Sequence, residues 1–324
     1  MTDTSSPTMR AVVIDELGGT DRLRLTQLAR PVPVSAELLV QLHAAALNPI
    51  DAKTRAGKGA AAGIRSFPLT LGNDFSGVVA QAAYEAHPLR PGAEVYGMLS
   101  VPRTNGSYAE FAAVPDMSIA RKPSNLSHVE AAAVPLAALT ADGALRVAGV
   151  TAGSRVLIHA GAGGVGHFAV QFAALAGAEV ITTASPRNAD WLRELGASEV
   201  IDYGSTRFED VVSGVDIVID LIGNVHDNTG SRSLGVLRAD GILVNVPTGS
   251  WPSLAEDAAA AGRRATGFKV SPDGRRLAEF TDLIEAGKLR VHIDAVFPLD
   301  RVAEAHALLE QGHTRGKISL DLTR

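Results

Sequence analysis

The chain has 324 residues, 46% of them hydrophobic, and a net charge of −5, which is enough material for two domains with sizeable cores. It contains no cysteine, which excludes disulfides, thiolate nucleophiles and cysteine-ligated zinc. Basic residues are scattered rather than clustered, against a nucleic-acid footprint, and no apolar run approaches the ~20 residues of a membrane span.

The opening MTDTSSPT lacks the basic and apolar blocks of a signal peptide and reads as a polar tail, so a cytoplasmic location is expected. Residues 9–25 read as a strand, a turn at Gly18-Gly19 and the start of a return strand, RLRLTQL. Residues 36–45 form another strand, apolar enough to be largely buried, and residues 48–57 leave it as a polar helical turn. Residues 58–66 read as a mobile loop. Further strands are expected over residues 71–79, after the turn at 90–97, and around 105–111. Several short strands before any long helix indicate a β-rich first domain. From Ser127 onward the texture becomes helical and alanine-rich.

Residues 155–187, RVLIHAGAGGVGHFAVQFAALAGAEVITTASPR, then carry the most specific signal. A short β-branched run ends at His159, and Gly161-Ala162-Gly163-Gly164-Val165-Gly166 satisfies G-x-G-x-x-G. The helix that follows places Val165, Phe168, Ala169, Phe172 and Leu175 on one face, Gly177 marks its end, and residues 179–183 form a second strand. Strand, glycine loop, helix and strand in that order form a dinucleotide fingerprint. Glycines let the backbone approach a pyrophosphate, and the helix N-terminus offers it unpaired N–H groups. The second strand runs into Ala184-Ser185-Pro186-Arg187-Asn188, with no carboxylate before Asp190. An acidic residue there would repel a 2′-phosphate, whereas a hydroxyl and a guanidinium bind one, so NADPH is expected over NADH.

Beyond the fingerprint, strands are expected over residues 199–203, 215–221, 242–246 and 265–270. Residues 275–287 form an amphipathic helix, residues 299–311 another with Asp300 as its cap, and residues 317–322 a final strand.

The blocks MRAVVIDELGG, HAAALNPIDAKTRAG, LTLGNDFSGVV, RPGAEVYG, GSYAEF, PLAALTADGAL, VLIHAGAGGVGHFAVQFA and TRGKISL resemble the medium-chain dehydrogenase/reductase superfamily. Within it they are similar to the zinc-free quinone oxidoreductase branch that includes zeta-crystallin. The resemblance implies an α/β fold in which a doubly wound parallel Rossmann sheet, residues 126–270, is inserted in a β-rich GroES-like catalytic domain, residues 1–125 plus 271–324. In zinc-dependent relatives the catalytic ligands occupy positions that here hold Asn48, Asn73 and Leu136, which is no zinc-binding set. No metal is therefore expected.

Without a Lewis acid, alcohol oxidation loses its means of stabilising an alkoxide, whereas a conjugated acceptor spreads the developing charge onto an oxygen that hydrogen bonds can hold. The resemblance likewise implies hydride transfer from NADPH to a small quinone, enone or enal. It places Asn48 at the nicotinamide pocket, where its amide would donate to the substrate oxygen; a turn-stabilising role before Pro49 is the other reading of this residue. Lys53 would polarise the oxygen or relay a proton, or be a surface lysine. For the cofactor it implies Gly161, Gly163, Gly164, Val165 and Gly166 at the pyrophosphate, Thr140 near the nicotinamide and Tyr203 near the adenosine phosphate. Ser185 and Arg187 would serve the 2′-phosphate, because Asn188 replaces the lysine that relatives use. Arg315, with Lys317 beside it, would reach the phosphates or form a solvated pair. Relatives pair the edge strand at 265–270 across a two-fold axis, so a homodimer is expected. The alternatives are an enoyl-thioester reductase, for which no basic entry patch stands out, and a non-catalytic NADPH-binding sensor.

Overall fold

A computed structural model describes residues 7–324; most of the polar tail expected at the start therefore lies outside the described residues. Contacts divide the chain into two compact units, residues up to Leu139 together with Ser271–Arg324, and Thr140–Val270.

In the first unit, β1 (Thr8–Ile14) and β2 (Arg24–Ala29) pair antiparallel, with Met9 opposite Leu28 and Val12 opposite Leu25. In β3 (Glu37–Ala46) the side chains of Leu38, Val40, Leu42 and Ala44 are buried, a period of two that marks the inward face of a pleated strand. Helix α1 (Pro49–Arg55) begins on a proline, whose fixed φ suits a first helical turn. There follow β4 (Leu69–Thr70), β5 (Asp74–Gln81), β6 (Glu94–Met98), β7 (Phe111–Pro115) and β8 (Ile119–Arg121). Helix α2 (His128–Ala132) is capped by Ser127 and packs Ala132 and Ala133 against Ala44 and Ala46 of β3. That alanine-to-alanine contact places residues 126–139, grouped with the nucleotide domain on sequence grounds, in the first unit.

Helix α3 (Pro135–Ala148) leads into the second unit. Its strands and helices alternate as β9 (Arg155–Ile158), α4 (Gly166–Leu175), β10 (Glu179–Ala184), α5 (Ala189–Glu194), β11 (Glu199–Asp202), α6 (Phe208–Val211) and β12 (Val215–Asp220). They continue as α7 (Thr229–Val236), β13 (Leu237–Asn245), α8 (Leu254–Ala260) and β14 (Arg264–Gly267). The sheet is parallel, in the order β11-β10-β9-β12-β13-β14. This is the doubly wound arrangement, with the order reversing beside β9. The last strand stops at Gly267 rather than Val270, because its partner β13 ends at Asn245, the residue opposite Gly267; the Phe268 ring then lies on α3. A Cβ on Gly143 would come within 2.2 Å of that ring.

The chain then returns to the first unit through α9 (Gly274–Glu285), β15 (Ile293–Pro298), α10 (Val302–Glu310) and β16 (Lys317–Asp321). Strands β15, β16, β3, β5, β6 and β8 follow one another in a mixed sheet, with β7 also paired to β3. Helix α9 buries Leu277, Phe280 and Ile284, the single apolar face read from the sequence, and Asp273 caps it by accepting the Arg276 N–H at 2.9 Å. Asp300 does not cap α10. It sits inside a short 3₁₀ turn, Leu299–Arg301, and Arg301 precedes the helix without a side-chain cap.

Candidate active site

The nucleotide half lies in the second unit. Three sequence-predicted groups follow the carboxyl ends of adjacent strands: the glycine loop after β9, Ser185 and Arg187 after β10, and Tyr203 after β11. A Cβ on Gly161 would lie 2.0 Å from Thr182 Oγ1 and one on Gly166 2.2 Å from the Ala160 carbonyl, so packing alone demands glycine at both. Gly163 differs: a Cβ there meets only the Ala160 oxygen at 3.3 Å, and Gly163, Gly164 and Val165 form the partly exposed tip of the loop. Helix α4 starts at this tip with no side-chain cap; its His167 N–H donates to the Gly163 carbonyl at 3.1 Å, and the positive end of the helix suits an anion there. Thr140 is 4% exposed, and its Oγ1 has no hydrogen-bond partner among the described residues. A buried orphan hydroxyl is costly unless a ligand completes it. Ser185 Oγ accepts from Asn188 Nδ2 at 3.1 Å, Arg187 is exposed, and Tyr203 is exposed beside them. These residues fit a dinucleotide.

The second half is a buried polar cluster in the first unit, on segments that sequence order keeps far apart. Asn48 ends β3 and is 2% exposed. Its backbone N–H donates to Asp51 Oδ2 at 2.8 Å, and its Nδ2 donates to Asp74 Oδ2 at 2.8 Å. Its Oδ1 accepts from Lys317 Nζ at 2.5 Å, and the same ammonium donates to the Leu47 carbonyl at 2.7 Å. Asp74 also accepts the Leu136 N–H at 2.8 Å and lies 3.6 Å from Lys317 Nζ. Three N–H donors converging on Asp74 favour its ionised form against the burial that raises its pKa. Burial lowers the pKa of Lys317, with Asp74 and Asp51 opposing.

Behind this group, Asp51 accepts the Asn73 amide at 2.6 Å, and burial pushes its pKa up to about 7, against the pull of those hydrogen bonds. Arg55, which only donates, contacts His306 Nδ1 at 3.0 Å and Glu310 at 2.6 Å. His306 is therefore neutral with its proton on Nε2, which donates to Tyr108 Oη at 3.1 Å, while the Tyr108 hydroxyl points to Asp51 at 3.4 Å. Burial, reinforced by Arg55, pushes the His306 pKa down to about 3. Lys53 stands on α1, partly buried, its pKa lowered by burial and by Lys58. Arg315 also belongs to the first unit, close enough to His292 to lower its pKa after burial has done so.

Sequence reading placed Lys317 at the cofactor phosphates or in solvent. It is instead 3% exposed and bound to Asn48, because β16 lies antiparallel beside the end of β3. Asp74, Tyr108 and His306 were not singled out at all, and Arg55 only as a possible partner of Asp51. The signal that finds them is a polar residue inside an apolar block, as in LGNDFSG, GSYAEF and RGKISL.

Comparison with known proteins decides the family. The family model described as "Alcohol dehydrogenase GroES-like domain" matches residues 35–124, and "Zinc-binding dehydrogenase" matches residues 195–320. The chain is 33% identical to a mitochondrial NAD(P)H oxidoreductase of Mus musculus, covering 98% of this chain and 90% of that protein. It belongs to the medium-chain dehydrogenase/reductase superfamily. It is also 35% identical to a chloroplastic NADPH-dependent alkenal/one oxidoreductase of Arabidopsis thaliana, covering 96% of this chain and 78% of the relative. The solved quinone oxidoreductase of Coxiella burnetii superposes with a TM-score of 0.92 at 38% identity, covering 98% of this chain and all of that one. The expected combination of a GroES-like β domain and a Rossmann domain is confirmed.

The resemblance assigns the ligand positions of zinc-dependent relatives to Asn48, Asn73 and Leu136. Here two carboxamides and a backbone N–H stand at those positions, and the Lys317 ammonium is bonded to one of the carboxamides. Among the described residues no group of three or more His, Cys, Asp or Glu is arranged to hold a metal. Zinc needs thiolates, imidazoles or carboxylates in a tetrahedral set, and an ammonium beside it would repel it. The residues present do not fit a zinc ion.

Proposed function

We propose that this protein is an NADPH-dependent reductase of small quinones or α,β-unsaturated carbonyls that works without a metal. The observation that carries this reading is the Asn48 amide. Its Oδ1 and one Nδ2–H are taken, and the second Nδ2–H meets no acceptor among the described residues. A donor fixed in this way before reaction suits an oxygen on which negative charge grows. The family supports the same activity class, as do relatives named for quinone and for alkenal/one substrates.

In this reading the bound nicotinamide supplies a hydride. Gly161, Gly163, Gly164, Val165 and Gly166 and the start of α4 would hold the pyrophosphate, Thr140 Oγ1 would gain its missing partner, and Tyr203 would lie by the adenosine. Ser185 and Arg187 would take a 2′-phosphate, which the absence of any carboxylate between Ala184 and Asp190 favours. Arg315 is a further phosphate partner in this proposal. Asn48 would donate to the acceptor oxygen, and Lys53, on the helix that Asn48 begins, would polarise it or pass it a proton. Burial and Lys58 both lower the pKa of Lys53, which eases proton release. A homodimer, supported by the open edge of β14, completes the proposal, with the cytosol as its default compartment.

A panel of quinones, enals and enones, followed by loss of NADPH absorbance, tests the activity. Turnover of at least one acceptor, faster with NADPH than with NADH, is the expected result. Tight NADPH binding without turnover of any acceptor overturns the enzyme reading.

A further inference from the structure

We propose that Lys317, buried beneath Asn48, is the positioning residue that aims and polarises the Asn48 amide. This inference rests on the reading of Asn48 as the donor to the acceptor oxygen. An asparagine amide has two nearly isosteric orientations, and only its surroundings choose between them. Here the choice is forced from both sides. Lys317 can only donate, so it must face Oδ1, and the Asp74 carboxylate can only accept, so it must face Nδ2. A flipped amide would set N–H groups against an ammonium and an oxygen against a carboxylate, both without water to relieve the clash.

The same contact acts on the strength of the donor. A hydrogen bond from a cation to an amide oxygen draws electron density from the nitrogen, and linked bonds reinforce one another, by roughly 10–30% per bond in condensed-phase estimates. The free Nδ2–H of Asn48 is therefore a stronger donor than an ordinary amide. Lys317 has no hydrogen left for a substrate: its Nζ is turned to Leu47, Asn48 and Asp74. Its influence reaches the reaction only through Asn48. Where zinc-dependent relatives concentrate positive charge in a metal, this chain holds a buried ammonium whose charge is delivered by way of a neutral amide.

The test is a double-mutant cycle with Asn48→Ala and Lys317→Met, measured as NADPH oxidation with the best acceptor and alongside nucleotide titrations. Asn48→Ala should lower kcat about 10²–10³-fold. Lys317→Met should lower kcat at least about tenfold with NADPH affinity unchanged, yet change kcat less than about threefold in the Asn48→Ala background, because coupled residues are non-additive. Lys317→Arg, which restores a cation, should recover most of the loss and move the alkaline limb of the kcat profile upward, since the arginine cannot deprotonate. In nucleotide-free protein, the two Asn48 amide protons should give distinct, slowly exchanging signals that merge in Lys317→Met. Should Lys317→Met strand Asp74 and fail to fold, Lys317→Met with Asp74→Asn removes both charges and carries the same readouts. Equal losses from Lys317→Met with and without Asn48 would overturn the inference while leaving the reductase reading intact. Full activity in Asn48→Ala would overturn the assignment of Asn48 and this inference together.

Discussion

The His306 ring should make an acid-sensitive contribution to the stability of the first unit. It is opposite in sign to that of Asp51, whose pKa of about 7 lets the folded state take up a proton first as pH falls. His306 is fully buried, Arg55 donates to its Nδ1, and its pKa falls from an ordinary 6.5 to about 3. A folded-state pKa below the unfolded one means that the unfolded chain binds the extra proton first. The neutral ring therefore contributes stability that is whole above pH ~6.5 and is lost as pH falls towards ~3. The full span of about 3.5 units corresponds to roughly 5 kcal/mol, and the part lost between about pH 7 and about pH 5 is roughly 2 kcal/mol. Urea unfolding of the wild type and of His306→Asn at those two pH values isolates the term. The asparagine oxygen still accepts from Arg55 but cannot be protonated. Loss of the edge-on contact with Tyr108, whose ring centre lies 5.7 Å away, lowers stability equally at both pH values and cancels. The wild type should lose roughly 2 kcal/mol more than the variant on acidification. The His306 C2–H signal should not titrate above about pH 5. Equal losses in the two proteins, or a titration near 6.5, would refute the reasoning.

The remaining predictions concern the proposed function. Arg187→Ala should reduce the preference for NADPH over NADH by about tenfold, or about 1.4 kcal/mol, in fluorescence titrations; an unchanged ratio sinks its role at the 2′-phosphate. Gly163→Ala should melt like the wild type but bind nucleotide more weakly, whereas Gly161→Ala should melt early, by roughly 1–3 kcal/mol, because its methyl meets Thr182 Oγ1. Identical behaviour of the two variants would count against a ligand at the loop tip. Elemental analysis should find no stoichiometric zinc, and chelator should leave turnover intact; one tightly held zinc per chain would refute the metal-free reading. Light scattering at micromolar concentration should give a dimer, and a monomer would remove the role proposed for the edge of β14.

What the sequence made legible were features with short range. The glycine loop, the missing acid after β10 and the amphipathic face of α9 each lie within one continuous stretch, so local pattern is enough to read them. Where tertiary contacts decide, local reading failed. Asp300 has the right side chain for a cap, but a 3₁₀ turn moves the start of the helix past it. The end of β14 is set by the end of its partner β13 at Asn245, a limit that no property of residues 265–270 announces. Lys317 read as a phosphate partner or a solvated lysine, because both are common fates of lysine, and the pairing of β16 with β3 instead buries it.

The candidate site sharpens that contrast. Residues 48, 51, 55, 73, 74, 108, 306 and 317 form one connected set of hydrogen bonds, though Asn48 and Lys317 are separated by most of the chain. An apolar core of the same shape would be more stable, since buried charges seldom repay their desolvation. Two carboxylates, two cations and two amides at that depth are tolerated because nearly every donor faces an acceptor. Not every donor is met: Asn48 Nδ2 and Asn73 Nδ2 each give one N–H to a carboxylate, Asp74 and Asp51 respectively, and it is the remaining Asn48 N–H that the proposed function assigns to the acceptor oxygen. The connected bonds are also why substitutions here will not behave independently. Removing Lys317 changes what Asn48 can donate, removing Asp51 frees the N–H that starts α1, and protonating His306 turns a donor toward Arg55. Stability and chemistry in this unit therefore pass through the same few bonds, and a variant that relaxes one should be read for both.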